Sequence, residues 1–260
     1  MKHEMSGDGM DDAKALTIRP FKRSDRQALT ELIRLAWYAD GDTTDDDTTD
    51  DTVEDAAEST AEDVVRESFA PSKPRNAQGL SVSRRLAAID AEECLSRTTH
   101  AAAAEYDGRV IGVILGSLRF QATRGQSLRH RMRRMRMALP LLGSRAGIRG
   151  LCDQLAMRSV DRKLLRDTHT AYQAEIVLFI VSPEARGHGV GRRLFGHMID
   201  YFRAADITRY FLFTDTSCNV GFYTHSGLQC KASRTIAAGG CAASGALGCF
   251  LYEGSVPGDR

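Results

Sequence analysis

The stretch from Glu175 to Gly191, EIVLFIVSPEARGHGVG, decides how the fold is interpreted. Its run of β-branched and other apolar residues predicts a buried strand. A turn follows at Ser182-Pro183, then a glycine-rich loop, then an amphipathic stretch at 192–202. Glycines let a backbone turn sharply and approach a ligand closely. The free N–H groups of a first helical turn attract anions. We therefore expect this strand, loop and helix to bind a phosphate-bearing ligand.

The spacing inside the loop narrows the choice of ligand. The loop lacks the Lys-Ser/Thr pair of P-loops, and it is not a GxGxxG loop followed by an acidic residue on a second strand. It reads Arg-x-x-Gly-x-Gly, with Arg186, Gly189 and Gly191 at the fixed positions. This pattern resembles the [QR]-x-x-G-x-[GA] loop of the GNAT acetyltransferase superfamily, which wraps the pyrophosphate of acetyl-CoA. The resemblance implies a cofactor site formed by Arg186, Gly187, His188, Gly189, Val190, Gly191 and Arg192.

A second block downstream strengthens the resemblance. Residues 209–215 predict another compact strand, and 219–228 predict a short helix that Gly227 closes as its C′ residue. An Asn near a helix start, then a Phe-Tyr pair and Gly-Leu, is similar to the second GNAT block. Residues 16–21 are similar to the family's first strand. The chain is identified as a member of this superfamily on both blocks and their order.

The resemblance also implies residue roles. Glu175, at the start of the cofactor strand, matches the family's general base, although a strand-end Glu in solvent or in a salt bridge with an insertion arginine would equally explain it. Tyr223 matches the general acid that protonates the departing thiolate, although it could simply pack beside Phe222. Asn219 would cap its helix and contact the pantetheine arm. The backbone of Phe179, Ile180 and Val181 would pair with the pantetheine amides.

Composition and cysteine usage limit the remaining options. The chain has 260 residues, 42% of them hydrophobic, and a formal net charge of +1. No apolar run is long enough to cross a bilayer, and residues 1–14 lack the apolar core of a signal peptide. The six cysteines are scattered, with no CxxC and no Cys/His cluster, so we expect neither a metal site nor a disulfide framework. A cytoplasmic location follows as the expectation.

Two segments of opposite charge interrupt the family pattern. Residues 40–63 consist almost entirely of Asp, Glu, Thr and Ala, which predicts a mobile loop. This loop could be an acidic rim that recruits a cationic acceptor, or simply a solvated segment. Residues 119–172 form an arginine-rich insertion. Its first half carries apolar residues at helical spacing, with arginines on the faces between them: Leu128, Met132, Met135, Leu139 and Leu142.

The insertion has three interpretations: a helical lid over the acceptor site, a partner for the acidic loop, or a patch that binds nucleic acid or an anionic membrane. No aromatic residue lies between Arg124 and His169, which weakens recognition of single-stranded nucleic acid by base stacking. The sequence therefore favours a lid over nucleic-acid or membrane binding.

Local signals predict further elements outside the insertion. Ser24 is a plausible N-cap for a first helix that runs to Tyr38, and a second helix is expected over roughly Ser83 to Arg97. The pair Asp107-Gly108 predicts a two-residue turn that joins two strands in a hairpin.

The combined prediction is one α/β domain over residues 1–260, with the GNAT fold and a mixed central sheet of six to seven strands flanked by helices. We expect an N-acetyltransferase that moves an acetyl group from acetyl-CoA to a small-molecule or peptide amine, by direct transfer in a ternary complex and without a metal. The alternatives are a non-catalytic acyl-CoA-binding regulator, and an acyltransferase directed to nucleic acid or membrane by the insertion. Edge-strand pairing in a homodimer is left open by the sequence.

Overall fold

The computed structural model describes residues 16–38, 77–121, 124–218, 220–237 and 246–257, and for 77–80, 124–127 and 237 only the backbone. The predicted acidic loop at 40–63, residues 1–14 and Asn219 therefore lie outside the described residues. Within the described part, no helix has both the length and the apolar character needed to cross a bilayer.

Seven strands form one mixed sheet, as predicted. Their order is β1-β2-β3-β4-β5-β7-β6, and every neighbouring pair is antiparallel except β4 and β5. The strands are β1 Thr17–Pro20, β2 His100–Tyr106, β3 Arg109–Leu118, β4 Ala174–Val181, β5 Arg209–Asp215, β6 Gln229–Ala237 and β7 Ala246–Ser255.

Helices cover both faces of this sheet. They are α1 Arg26–Trp37, α2 Ala77–Arg97, α3 Arg124–Ala138, α4 Arg145–Asp167, α5 Val190–Ala204 and α6 Val220–His225. The apolar stripe of α5 packs on one face, against residues that include Ile114 and Ile176. On the other face, α1 and α2 cover β3 and β4, while α4 covers β5 and β7. Successive side chains of β5 point to opposite faces of the sheet and so reach both cores. Tyr210 and Leu212 pack in the core under α5, and Phe211 packs in the core under α4.

Two predicted helix starts need correction. The first helix begins at Arg26, because a 3₁₀ turn at Arg23–Asp25 comes before it; Asp25, not Ser24, occupies the N-cap position. The second helix begins at Ala77, not at Ser83.

Two predicted glycine turns are confirmed. In the β2–β3 hairpin, Asp107 and Gly108 have φ values of 50° and 71°, which a two-residue type I′ turn requires. Gly227, at φ 82°, ends α6. The Gly227 N–H donates to the Thr224 carbonyl at 3.0 Å and the Leu228 N–H donates to the Tyr223 carbonyl at 3.0 Å, which together form a Schellman motif.

The sheet splits between β4 and β5. β4 pairs with β3 along its whole length, with a bulge at Val177, but it pairs with β5 only over Ala174–Ile176. Beyond Ile176 the two parallel strands are no longer paired. The β5-facing edge of residues 177–181 therefore has no strand partner in the described chain, and its N–H and C=O groups are available to a ligand.

The long helix α4, from the arginine-rich insertion, bridges this split. In its first half, the Gln154 amide donates to the hydroxyl of Tyr38, the residue after α1, and to the Leu86 carbonyl of α2, both at 3.0 Å. At its end, Arg234 of β6 donates to Asp167 at 2.6 Å. Between these points α4 packs on β5 and β7 through Val160, Leu164, Phe211, Cys249 and Leu251. The helix is thus anchored to both halves of the sheet and forms a fixed wall.

Candidate functional site

The glycine-rich loop leads from β4 into an open helix N-terminus. Gly187 and Gly189 have φ values of 83° and 76°, in the left-handed region that glycine enters without strain. Gly189 is the N-cap of α5, and no side chain of the described residues caps this end. The first helical hydrogen bond runs from the Arg193 N–H to the Gly189 carbonyl at 3.1 Å. The preceding N–H groups of the first turn are therefore free to bind an anion.

The side chains around this N-terminus add positive charge. Arg186, His188, Arg192 and Arg193 are all exposed at the loop or on the first turn of α5, with Glu184 as the acidic neighbour. Basic side chains and free N–H groups at one helix end are the combination that binds phosphate groups.

Phe179 joins the loop to the rest of the site. Its ring lies 5.4 Å from the ring of Phe222 on α6, measured between centroids. A Cβ added at Gly191 would come within 3.3 Å of the Phe179 Cζ atom. A glycine at position 191 therefore lets α5 approach β4 closely, and the unpaired edge of β4, the loop and α6 meet at one place.

Glu175 lies on the opposite face of β4 from α5, next to the wall formed by α4. Its side chain is 10% exposed, and its Oε1 atom accepts a hydrogen bond from the Arg97 guanidinium at 2.6 Å. An ion pair was one of the interpretations that the sequence offered for Glu175. The partner, however, is Arg97 at the end of α2 and not an arginine of the insertion. The pair holds the carboxylate in one orientation beside the split.

Two further carboxyl groups accompany Glu175 and were missed by the sequence reasoning. Burial raises the pKa of Asp161 on α4 to about 7. The positive charges of Arg97 and Arg158 lower this pKa, and the negative charges of Glu175 and Asp215 raise it. Asp215 ends β5 on the face that carries Phe211 and Phe213. Nothing in the local sequence marks Asp161, because its surroundings arise only when α4 packs across the sheet.

Tyr223 lies on the other side of the split, in the core beneath α5. It is 8% exposed, and its ring packs against Phe222 and Tyr252 with centroids 5.7 and 5.9 Å away. Burial raises the pKa of its phenol above the ordinary value, and the charges of Cys218 and Asp215 raise it further, whereas the neighbouring Thr214 lowers it. The phenol is therefore protonated at neutral pH, as a proton donor must be.

The part of the chain that carries these features also matches a known family. Residues 154–228 match the family model of the acetyltransferase (GNAT) family. The matched region runs from α4 through β4, the glycine loop, α5 and β5 to the end of α6. Residues 154–228 therefore carry the match to a GNAT acetyltransferase domain. Enzymes of this family are acyltransferases, and their acyl donor is acetyl-CoA.

Several solved acetyltransferase structures are similar to this chain at low identity. The ribosomal-protein-S18-alanine N-acetyltransferase from Escherichia coli is 10% identical, with a TM-score of 0.44 over 95% of this chain and 97% of that one. An N-acetyltransferase from Staphylococcus aureus Mu50 is 13% identical, with a TM-score of 0.46 over 94% and 99%. The protein yncA from Salmonella typhimurium, solved with its cofactor acetyl-CoA, is 14% identical, with a TM-score of 0.46 over 94% and 95%. A comparison with curated protein sequences found no match.

Among the residues that the structure describes, no group of three or more His, Cys, Asp or Glu side chains could hold a metal ion.

Proposed function

We propose that this protein is an N-acetyltransferase that moves the acetyl group of acetyl-CoA directly to a primary amine within a ternary complex. The observation that supports this most is the opening of the β4–β5 split next to an uncapped α5 N-terminus. A ligand with a pyrophosphate at one end and a peptide-like arm at the other fits such a combination. The acceptor would be a small-molecule or peptide amine.

The glycine-rich loop and β4 would supply the cofactor contacts. The N–H groups of residues 187–192 would bind the pyrophosphate, with Arg186, His188 and Arg192 adding charge. The free edge at Phe179, Ile180 and Val181 would accept the pantetheine arm as an additional strand. In this arrangement the thioester lies at the split, between the side that holds Glu175 and the side that holds Tyr223.

Two proton transfers would accompany acyl transfer. Glu175 takes a proton from the acceptor ammonium or amine, directly or through a water, so that the nitrogen lone pair can attack the acetyl carbon. As the new C–N bond forms and the C–S bond breaks, Tyr223 donates its phenolic proton to the leaving sulfur. Acetyl-CoA supplies the activated acyl group. Asp161, whose pKa of about 7 lies near neutral pH, offers the proton on Glu175 a route away from the site.

The cysteines support a reducing compartment such as the cytoplasm. Cys94, Cys152, Cys218, Cys230 and Cys249, which are the cysteines within the described residues, are all free thiols. Disulfides are rare where glutathione and thioredoxin keep thiols reduced.

The test is release of free CoA thiol from acetyl-CoA across a panel of polyamines, aminoglycosides, amino acids and lysine peptides. With the best acceptor, Tyr223→Phe is expected to lower kcat by about a hundredfold, the scale of general acid catalysis, and to leave the KM for acetyl-CoA unchanged. Tyr210→Phe is the matched control, because Tyr210 is another buried phenol of the same core, at the far end of β5. Equal kcat values for the two variants would remove Tyr223 from the mechanism. Tight CoA binding without turnover on any amine would contradict the transfer to a primary amine.

A further inference from the structure

Helix α3 of the insertion has its polar contacts on the inside. His130 Nδ1 lies 2.6 Å from Glu92 Oε2 of α2, and Arg134 forms an ion pair with Glu93. The outward face is apolar instead. The following side chains of α3 and of the turn after it are 57–62% exposed: Leu128, Met132, Met135, Leu139 and Leu142. A typical amphipathic helix packs on the protein through its apolar side chains and exposes its polar ones. Helix α3 does the reverse: it packs on α2 through ion pairs, and no described residue covers its apolar stripe.

The apolar surface extends beyond α3. Phe120, in the turn before the helix, is 67% exposed, and Leu155 on α4 is 61% exposed. Met135 and Leu155 line the same groove between α3 and α4. Single exposed apolar residues are ordinary, but a group that continues over two helices and their connecting turn marks an interaction surface. We call this group, from Phe120 to Leu155, the insertion face.

Positive charge surrounds the insertion face. The sequence from Arg119 to Cys152 contains no Asp or Glu and has arginines at positions 119, 124, 129, 131, 133, 134, 136, 145 and 149. Arg129, Arg131 and Arg136 are exposed, and they form no ion pair with any residue that the structure describes. A partner for this surface must offer negative charge and an apolar interior together.

We propose that the insertion face binds the surface of an anionic lipid bilayer. Its Leu and Met side chains would enter the boundary between headgroups and acyl chains, and the arginines around them would contact the anionic headgroups. The protein would thus hold its acyl-transfer site next to a membrane. The face is structurally independent of the β4–β5 split, so this proposal does not depend on the proposed reaction.

Charge and composition separate this partner from two others. A second copy would place arginine opposite arginine across the apolar stripe, which repels. A nucleic acid would match the charge but would gain nothing from Leu128, Met132 or Met135, and no aromatic residue between Arg124 and His169 can stack on bases. The sequence favoured a lid for this insertion, whereas the exposed apolar stripe and the arginines around it support membrane binding.

The experiment is flotation of the full-length protein with vesicles of phosphatidylcholine alone and of phosphatidylcholine mixed with phosphatidylglycerol. Wild type should bind only the anionic vesicles, and raising the salt concentration should weaken binding. The triple variant Arg129→Gln, Arg131→Gln and Arg136→Gln should bind about a hundredfold more weakly, since each arginine near such a surface contributes about 1 kcal/mol. The double variant Met132→Gln and Met135→Gln should lose about tenfold through its apolar contacts.

Tyr106→Gln is the matched control, because Tyr106 is an exposed apolar side chain of the β2–β3 hairpin, outside the insertion, and its loss should leave binding unchanged. All these positions are exposed, and circular dichroism will verify that each variant is folded. Equal binding to both kinds of vesicle, or binding to neither, would overturn the proposal. So would self-association of wild type that the methionine variant abolishes, because the face would then belong to a second copy. Duplex DNA binding that the arginine variant loses and the methionine variant retains, without vesicle binding, would assign it to nucleic acid instead.

Discussion

Replacing Gly189 with alanine tests the phosphate loop, and Gly108→Ala provides its control. The two glycines have nearly the same left-handed φ, 76° and 71°, and a Cβ added to either meets nothing within 4 Å. Neither substitution therefore creates a clash. Each forces an alanine into the left-handed region, which costs about 1 kcal/mol of the free energy of unfolding. The two variants should be equally destabilised, so any difference in ligand binding comes from position.

Only Gly189 lies where the cofactor would bind. Its relaxation out of the left-handed region would turn the first N–H groups of α5 away from the pyrophosphate. Loss of one charge-assisted hydrogen bond corresponds to about 2 kcal/mol, or a roughly thirtyfold higher Kd for CoA. Isothermal titration calorimetry gives the Kd, and urea denaturation gives the free energy of unfolding. If both variants bind CoA as wild type does, the loop is not the phosphate site. If both lose affinity equally, binding responds to general destabilisation and the assignment also fails.

Two further predictions concern stability. Asp161 titrates at about 7 in the folded protein and near 4 when unfolded, so the folded state binds its proton more tightly and stability falls as pH rises between these values. In urea denaturation, the free energy of unfolding of Asp161→Asn relative to wild type should therefore rise by about 3 kcal/mol from pH 5 to pH 8. A difference that stays constant with pH would contradict the buried, proton-binding environment. Gly254→Ala would drive a Cβ into the ring of buried Tyr210 and should cost about 2 kcal/mol, whereas Gly196→Ala, on α5 with open space around it, should stabilise by up to about 1 kcal/mol. Thermal melts that rank these two variants the other way would refute the packing around Tyr210.

Local signals explain what the sequence could predict. The strand before Ser182, the glycine loop, the Asp107-Gly108 turn and the Gly227 helix end each depend on the conformational preferences of a few consecutive residues. Such preferences are visible without knowing what lies across the sheet. The start of α2 was harder to place, because Gly79 interrupts its pattern and the first turns carry no capping signal.

Contacts between distant segments explain what the sequence could not predict. Arg97 and Glu175 are 78 positions apart, and nothing near either residue identifies the other. Asp161 acquires its raised pKa only from the groups that α4 meets after crossing the sheet. The spacing of Leu128 to Leu142 predicted a helix, but the exposed side of that helix depends on Glu92 and Glu93 of α2, which bind its polar face.

Three residue pairs join β4 to β5, so the sheet resembles two stiff plates connected by a narrow hinge. Bending at this hinge would change the width of the cleft while each plate keeps its own strands in register. α4 acts as a strut across the hinge, attached through Gln154 on one side and Asp167 on the other. How easily the cleft widens is thus set by side chains that lie far from the reacting atoms. The size of the acceptor that can enter the cleft would then depend on how firmly the contacts at Gln154 and Asp167 hold α4.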